Sequence, residues 1–188
     1  CRAAVVLLGD EQSADRARGE SPPEALAEYV GWLIGRDRKS RGLKTLQGLI
    51  WQDGYRTGEL RGQVFEDAAP ALEGWRSRGL NIYIYSSGSV LAQRSLFQTT
   101  QAGDLTSLLS GYFDTGVGPK TSPDSYRTIV EEIDVTPGQA LFVSDVEAEL
   151  DAARSAGLRT ALCDRRVAPP AAGAVSHPVI HSFDDILD

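Results

Sequence analysis

The chain has 188 residues, of which 41% are hydrophobic and 24% charged, and its formal net charge is −7. This length and composition suit one globular core with a small appended domain, and the acidic balance argues against nucleic acid as a partner. No apolar run approaches the roughly 18 residues of a membrane span, so no membrane partner is expected.

The first 62 residues are predicted to form a partial helical cap domain. Residues 10–23 are polar and end in Ser-Pro-Pro, which is typical of a loop. Between residues 24 and 58, apolar side chains recur at steps of three and four, which predicts one or two amphipathic helices. The chain begins with Cys1 and contains no methionine, so we expect an N-terminal segment to be missing. The two cysteines, at positions 1 and 163, lack metal-ligand spacing and favour a reducing cytoplasm.

Residues 63–188 are predicted to form the core domain, because helices and strands alternate there. In chain order the predicted elements are a helix opened by 67–70, a strand at 80–85, a helix at 89–98, a strand at 112–114, a helix at 123–133, a strand at 140–144, a helix at 147–156, strands at 159–163 and 177–180, and a final helix opened by Ser182. Ser122 has the position of a helix cap, and Ser182 and Asp185 have capping-box spacing. Continuous apolar strands alternating with helices predict an α/β fold with a parallel sheet covered on both faces.

Polar residues follow three of the predicted strands. Ser86 and Ser87 follow the strand at 80–85, Lys120 lies in a glycine-rich loop after the next strand, and Asp145 follows the strand at 140–144. The carboxyl ends of parallel strands meet at one edge of a sheet, where ligands bind in this class of fold. We therefore expect these side chains to lie close together.

The residue types at this edge favour phosphate chemistry. Hydroxyls and amides at a helix N-terminus bind phosphate, a lysine adds a compact positive charge, and an aspartate suits Mg²⁺. Together they predict a phosphoryl-transfer site in which Ser86, Ser87 and Lys120 contact phosphate and Asp145 ligates the metal. Taken singly, each has a simpler interpretation: a turn at the serines, a solvated lysine, and a helix cap at the aspartate.

Six segments carry a more specific pattern. They are LKTLQGLIW (43–51), GY-x-x-G (54–58), YIYSSGSVLAQ (83–93), GYFDTGVGPK (111–120), the Ser125-Tyr126 pair, and FVSDVEAELDAA (142–153). In these segments the chain resembles the enolase-phosphatases (acireductone synthases) of the haloacid dehalogenase-like hydrolase superfamily, over residues 24–164.

The resemblance implies a Rossmann-like core with a helical cap inserted after its first strand. It implies a cytoplasmic monomer that uses Mg²⁺ and acts on a small phosphorylated metabolite of methionine salvage, 2,3-diketo-5-methylthiopentyl-1-phosphate, by enolisation and phosphate hydrolysis to acireductone. Carried over by position, Ser86 and Ser87 bind the phosphate, and Lys120 binds it and stabilises its developing charge. Asp145 ligates Mg²⁺, and Glu149 orients the water shell of the metal.

One element of the resemblance is not found. The family's nucleophile, in Asp-x-Glu-Gly-Thr after the first strand, has no counterpart in residues 1–188. Asp10 ends an apolar run, but Gln12 and Ala14 stand where Glu and Thr are needed. In the family's fold the missing strand lies between the strands at 80–85 and 140–144. We therefore expect either a truncated N-terminus or a chain that borrows a strand, and little or no phosphatase turnover.

Two alternatives remain open at this point. The chain is a catalytically silent phosphate-binding domain that kept Ser86, Ser87, Lys120 and Asp145, or it is a phosphatase for another phosphate monoester. The histidines of the C-terminal segment, at positions 177 and 181, lie outside the matching segments and are interpreted as ordinary packing or surface residues.

Overall fold

The structure, a computed structural model, describes residues 53–55, 57–165 and 176–186. The chain divides into two compact units, Cys1–Arg61 and Gly62–Asp188. In the first unit, residues 53–55 are helical, and the amide of Leu60 donates to the carbonyl of Gly54 at 2.9 Å. The stretch around Asp10 and most of the predicted cap helices lie outside the described residues.

The described part of the second unit alternates helices and strands as predicted. Its helices are α1 (Ala68–Ser77), α2 (Val90–Gln98), α3 (Pro123–Glu132) and α4 (Glu147–Ser155), with 3₁₀ turns at Thr106–Leu108, Pro137–Gln139 and Phe183–Ile186. Its strands are β1 (Tyr83–Tyr85), β2 (Gly111–Phe113), β3 (Leu141–Ser144), β4 (Arg159–Cys163) and β5 (Val179–Ile180). The predicted α/β fold is therefore confirmed. None of the helices in this part has the length and apolar character needed to cross a membrane.

All strand pairs in the described part are parallel, and they form two sheets. One sheet pairs β1 with β2, and the other has the order β3-β4-β5. Within these described residues no strand joins β1 to β3, so each is an edge of its sheet. Leu141 at the start of β3 accordingly keeps 38% of its surface exposed, although its strand was predicted to be covered on both faces.

Aromatic side chains join the two sheets. Tyr85 of β1, Phe142 of β3 and Tyr126 of α3 form a cluster whose ring centroids lie 5.0 to 6.5 Å apart. Tyr126 is almost fully buried, among apolar residues of α3 and α4 such as Val130 and Ala153. Burying a large apolar side chain stabilises a fold by about 1.5–3 kcal/mol, so this cluster fixes the end of β1 against β3.

Of the two serines at the predicted starts of α2 and α3, only the one at α2 caps its helix with its side chain. At α2, the Ser89 hydroxyl accepts a hydrogen bond from the Ala92 amide at 3.3 Å, as an N-cap serine should. At α3, Ser122 occupies the N-cap position but its side chain makes no cap hydrogen bond, so that part of the prediction is wrong. The helix begins instead with Pro123, whose fixed φ suits the first position and which has no N–H to satisfy.

The C-terminal segment ends in a 3₁₀ turn, not in the predicted helix. The Asp185 carboxylate accepts from the Ser182 amide at 3.0 Å, which is half of the expected capping box. The Ser182 hydroxyl donates to Oδ2 of Asp67 at 2.9 Å, a residue just before α1. The same hydroxyl oxygen accepts from the Asp184 amide at 3.2 Å, where a capping box would use the Asp185 amide.

Asp67 anchors this segment to the body of the unit. Besides Ser182, its Oδ2 accepts from the Phe183 amide and from the Arg165 guanidinium, each at 2.8 Å. Burial alone would raise the pKa of Asp67, but these hydrogen bonds outweigh it, and the pKa lies below its ordinary value. The carboxylate is thus held in its charged form.

The two C-terminal histidines have packing roles, as predicted. The buried ring of His177 lies 2.8 Å from the Thr160 hydroxyl and 3.2 Å from an Asp151 carboxylate oxygen. Nδ1 of His181 lies 2.6 Å from the Asp164 carbonyl oxygen. These three contacts hold the segment 176–186 against β4 and α4.

Candidate active site

The candidate site lies at the carboxyl ends of β1, β2 and β3. Ser86 follows β1, Asp114 follows β2, and Asp145 follows β3. Because β1 and β2 are parallel, the first two lie at one edge, and the Ser86 amide donates to the Phe113 carbonyl at 3.1 Å. The edge of the β1–β2 sheet thus carries Ser86 and Ser87 together with Asp114, which the sequence did not single out. Asp145 lies at the end of β3 in the other sheet, so its closeness to the serines stays a prediction.

The predicted phosphate loop, residues 86–89, connects β1 to α2. The Ser86 hydroxyl oxygen accepts from the Gly88 amide at 3.2 Å, and Oδ2 of Asp114 accepts from the Val90 amide at 3.3 Å. The Ser87 side chain is exposed. The amides of Gly88 and Val90 are therefore already bonded. The hydroxyl protons of Ser86 and Ser87 are among the donors that the loop can still offer to an anion.

Lys120 lies between the ends of β1 and β3. Its Nζ is 2.7 Å from Oε2 of Glu149 and 6.0 Å from the centre of the Tyr85 ring, and Tyr85 immediately precedes Ser86. The Ser144 hydroxyl donates to the same Glu149 oxygen at 2.9 Å, and Ser144 immediately precedes Asp145. An ammonium group has three N–H donors, so the ion pair with Glu149 leaves donors for a ligand.

The backbone that carries Lys120 is held by side-chain hydroxyls. The backbone carbonyls of residues 118, 119 and 120 each accept a hydrogen bond from a side-chain hydroxyl. The bonds run from Tyr85 to Gly118 (2.9 Å), from Ser125 to Pro119 (2.9 Å) and from Tyr126 to Lys120 (2.6 Å). Burial raises the pKa of both phenols, so they stay protonated and remain donors at neutral pH.

Gly118 permits this close arrangement. Its φ of +130° is one that side chains rarely adopt, and a Cβ there would lie 2.3 Å from the Ser125 hydroxyl oxygen. Ser125 is itself buried and bonded to Pro119, so it has little room to move. The loop geometry therefore requires glycine at this position.

The candidate metal ligand is Asp145, which is exposed at the end of β3. No group of three or more histidine, cysteine or acidic side chains is gathered for a metal among the residues that the structure describes. The chemistry of the one carboxylate still fits Mg²⁺, which proteins often hold with one or two carboxylates, the rest being water and substrate phosphate. Glu149, predicted to orient the water shell, is paired with Lys120, and its metal role stays a prediction.

Two residues of the site were missed at the sequence level. The sequence predicts a strand at 112–114 that includes Asp114, but β2 ends at Phe113. The rule that ligand-binding residues follow parallel strands therefore applies to Asp114 as it does to Ser86 and Asp145. Gln93 closes one of the matching segments and received no role. Its side chain is buried below the loop, which no local pattern indicates.

This fold and this edge of polar residues define a haloacid dehalogenase-like hydrolase, and the family model of that description matches residues 11–157. The chain is 48% identical over 182 residues to enolase-phosphatase E1 of Citrobacter koseri, which covers 97% of this chain and 78% of that protein. It is 50% identical over 165 residues to enolase-phosphatase E1 of Synechococcus elongatus, which covers 86% of this chain and 68% of that protein. The chain therefore belongs to the enolase-phosphatase E1 family of the haloacid dehalogenase-like hydrolases, which confirms the resemblance.

A solved structure agrees with this assignment. The crystal structure of the UTR4 protein of Saccharomyces cerevisiae matches with a TM-score of 0.77 at 32% sequence identity. The match covers 93% of this chain and 85% of that chain.

Proposed function

We propose that the chain is a Mg²⁺-dependent enolase-phosphatase of methionine salvage. Its substrate is 2,3-diketo-5-methylthiopentyl-1-phosphate, which is enolised and then hydrolysed at the phosphate ester to give acireductone. The observation that carries the proposal is the position of Lys120. Its ammonium is 2.7 Å from Glu149, beside the end of β3, and 6.0 Å from the Tyr85 ring, beside the end of β1.

In this proposal the serines and the lysine bind the phosphate group. The hydroxyls of Ser86 and Ser87 donate to phosphate oxygens, and Lys120 donates through the N–H groups that Glu149 does not use. Because Lys120 is already held by Glu149 and by its braced backbone, its charge needs no reorganisation when negative charge develops on the phosphoryl oxygens.

The proposed metal ligand is Asp145. When bound there, Mg²⁺ would neutralise charge on the phosphate and polarise its oxygens. The attacking carboxylate that the family uses is not assigned to a described residue, because residues 1–188 contain no Asp-x-Glu-Gly-Thr segment. In this proposal the described residues are assigned phosphate binding and charge stabilisation, and the nucleophile is left unassigned.

The test measures binding and turnover separately. Titration calorimetry with inorganic phosphate and Mg²⁺ compares the unmodified chain with Lys120→Met, and phosphate release from the diketo substrate is measured in parallel. Arg127→Met is the matched control, because it also removes one positive charge but bonds to Ser155 at the far end of α4. We expect Lys120→Met to weaken phosphate binding at least tenfold and Arg127→Met to change it less than twofold.

The outcomes separate the candidate functions. Binding with turnover of the diketo substrate supports the enolase-phosphatase. Binding without turnover is expected of both functions, because residues 1–188 contain no Asp-x-Glu-Gly-Thr segment. It favours the silent phosphate-binding domain only if turnover stays absent when a segment with that motif is joined to the N-terminus. Turnover of a generic monoester alone indicates a different substrate. If the unmodified chain does not bind phosphate, or if Lys120→Met binds it equally well, the proposed site is wrong.

A further inference from the structure

Gln93 is a buried polar residue at the base of the candidate site. It lies on α2, and only 5% of its surface is exposed. Its side-chain nitrogen donates two hydrogen bonds, to the Gly88 carbonyl at 2.8 Å and to the Phe113 carbonyl at 2.9 Å. Both N–H bonds of the amide are therefore used on backbone acceptors.

These two acceptors belong to different parts of the site. The Gly88 carbonyl lies in the loop 86–89, and the Phe113 carbonyl ends β2. The same Phe113 oxygen also accepts the Ser86 amide at 3.1 Å, at the other end of the loop. One amide group of Gln93 thus joins the loop to the strand beside it.

The side-chain oxygen of Gln93 indicates that the site depends on the two N–H donors and not on the acceptor. Oε1 of Gln93 is buried and has no hydrogen-bond partner in the described structure. A buried acceptor without a partner costs free energy, and exchanging the two ends of the amide would place that oxygen against two carbonyls. The site therefore needs the two donors of this residue and tolerates an unpaired acceptor to keep them.

We propose that Gln93 is a positioning residue for phosphate binding. It acts through Gly88 and Phe113 to fix the loop so that the hydroxyls of Ser86 and Ser87 are presented to the anion before it arrives. Groups that are held in place in advance bind more tightly, because less conformational freedom is lost on binding. This inference rests on the proposed function, since it assumes that the two serines contact phosphate.

Two substitutions and a matched control test the inference. Gln93→Met has a similar length and removes both donors. Gln93→Glu places a carboxyl group against the two carbonyls, where only its protonated form has a donor. Ser95→Ala is the control, because Ser95 is also buried on α2 but its hydroxyl bonds within the helix, to the Leu91 carbonyl at 3.0 Å.

The measurements are the dissociation constant for inorganic phosphate and the melting temperature of each variant. We expect both Gln93→Met and Ser95→Ala to lower the melting temperature. Gln93→Met should weaken phosphate binding about tenfold, whereas Ser95→Ala should change it less than twofold. For Gln93→Glu we expect a similar loss at pH 8 that is partly recovered at pH 5.5, because the buried carboxyl becomes protonated as the pH falls. Each affinity is expressed relative to the unmodified chain at the same pH, since phosphate itself titrates in this range.

The results that overturn the inference differ from those that overturn the proposed function. If the unmodified chain binds phosphate and both Gln93 variants bind it equally well at every pH, Gln93 only packs the helix, and the proposed site stands. If Gln93→Met does not fold, the pH dependence of Gln93→Glu alone gives the decision, and a flat ratio to the unmodified chain refutes the inference. If the unmodified chain does not bind phosphate, the proposed function fails and this inference fails with it.

Discussion

The ion pair between Lys120 and Glu149 allows a double-mutant cycle that tests the electrostatics of the site. The changes are Lys120→Met, Glu149→Gln and the two together. Glu149→Gln keeps a side-chain oxygen that can accept the hydroxyl of Ser144, so the change removes mainly the charge. The cycle isolates the interaction between the two charges from other effects of each substitution.

The expected magnitude follows from the distance and the burial of the pair. Two unit charges 2.7 Å apart attract by about 6 kcal/mol at an effective dielectric constant of about 20. The side chains keep 21% and 13% of their surface exposed, so loss of hydration and solvent screening offset most of that attraction. The net coupling should lie between the roughly 0–1 kcal/mol of an exposed pair and the roughly 3–5 kcal/mol of breaking a buried one. We expect about 1–3 kcal/mol.

Urea denaturation of the four proteins gives the coupling free energy, and phosphate titration gives a second, independent result. Glu149→Gln should strengthen phosphate binding a few-fold, because it removes a negative charge beside Lys120, whereas Lys120→Met should weaken it. A coupling below about 0.3 kcal/mol would show that the pair does not interact in solution. If Lys120→Met does not weaken phosphate binding, the charge of Lys120 is not what binds the anion. If Glu149→Gln weakens phosphate binding, holding Lys120 in place matters more than the negative charge beside it.

Two further predictions concern the loop and the C-terminal anchor. Gly118→Ala should destabilise the chain by about 1–3 kcal/mol and weaken phosphate binding, because the added Cβ meets buried Ser125. Gly74→Ala on α1 places its Cβ in open space and should stabilise the chain by about 0.5–1 kcal/mol. Urea denaturation measures both changes, and a Gly118→Ala variant as stable as the unmodified chain would contradict the reasoning. Asp67 has a pKa below its usual 3.8, so its contribution to stability is present above that pH and is lost as the pH falls through the lowered value. The gap in unfolding free energy between the unmodified chain and Asp67→Asn should therefore narrow from pH 6 to pH 3, and a constant gap would mean that the charge on Asp67, bonded to Arg165, adds no stability.

The order of the elements could be predicted because it depends on local patterns. Short, mostly apolar runs predict the strands, and recurrence of apolar residues every three or four positions predicts the helices. The strand bounds were too generous, as at 80–85, where β1 begins only at Tyr83. Residues 80–82 continue the sequence pattern of the strand. The Leu80 amide, however, donates to the Trp75 carbonyl of α1 and takes no part in the hydrogen bonds between β1 and β2.

The site could be predicted only in part, for a related reason. Ser86, Lys120 and Asp145 follow strands, and the rule for parallel sheets applies to any residue in that position. The pairing of Lys120 with Glu149 spans 29 positions, and the bond from Gln93 to Phe113 spans 20. Such contacts depend on how helices pack on the sheets, and sequence spacing alone does not specify that.

The contacts of Asp67 have a consequence for the order in which the chain folds. Its carboxylate joins residues 98, 115 and 116 positions away along the chain, whereas the β1–β2 pairing begins with a bond across 28 positions, from Ser110 to Ile82. Closing a loop of more than 100 residues costs about 4 kcal/mol of chain entropy before any contact repays it. During synthesis Asp67 must wait for Phe183 to leave the ribosome. We therefore expect the β1–β2 unit to form early and the anchoring of the C-terminal turn to complete folding.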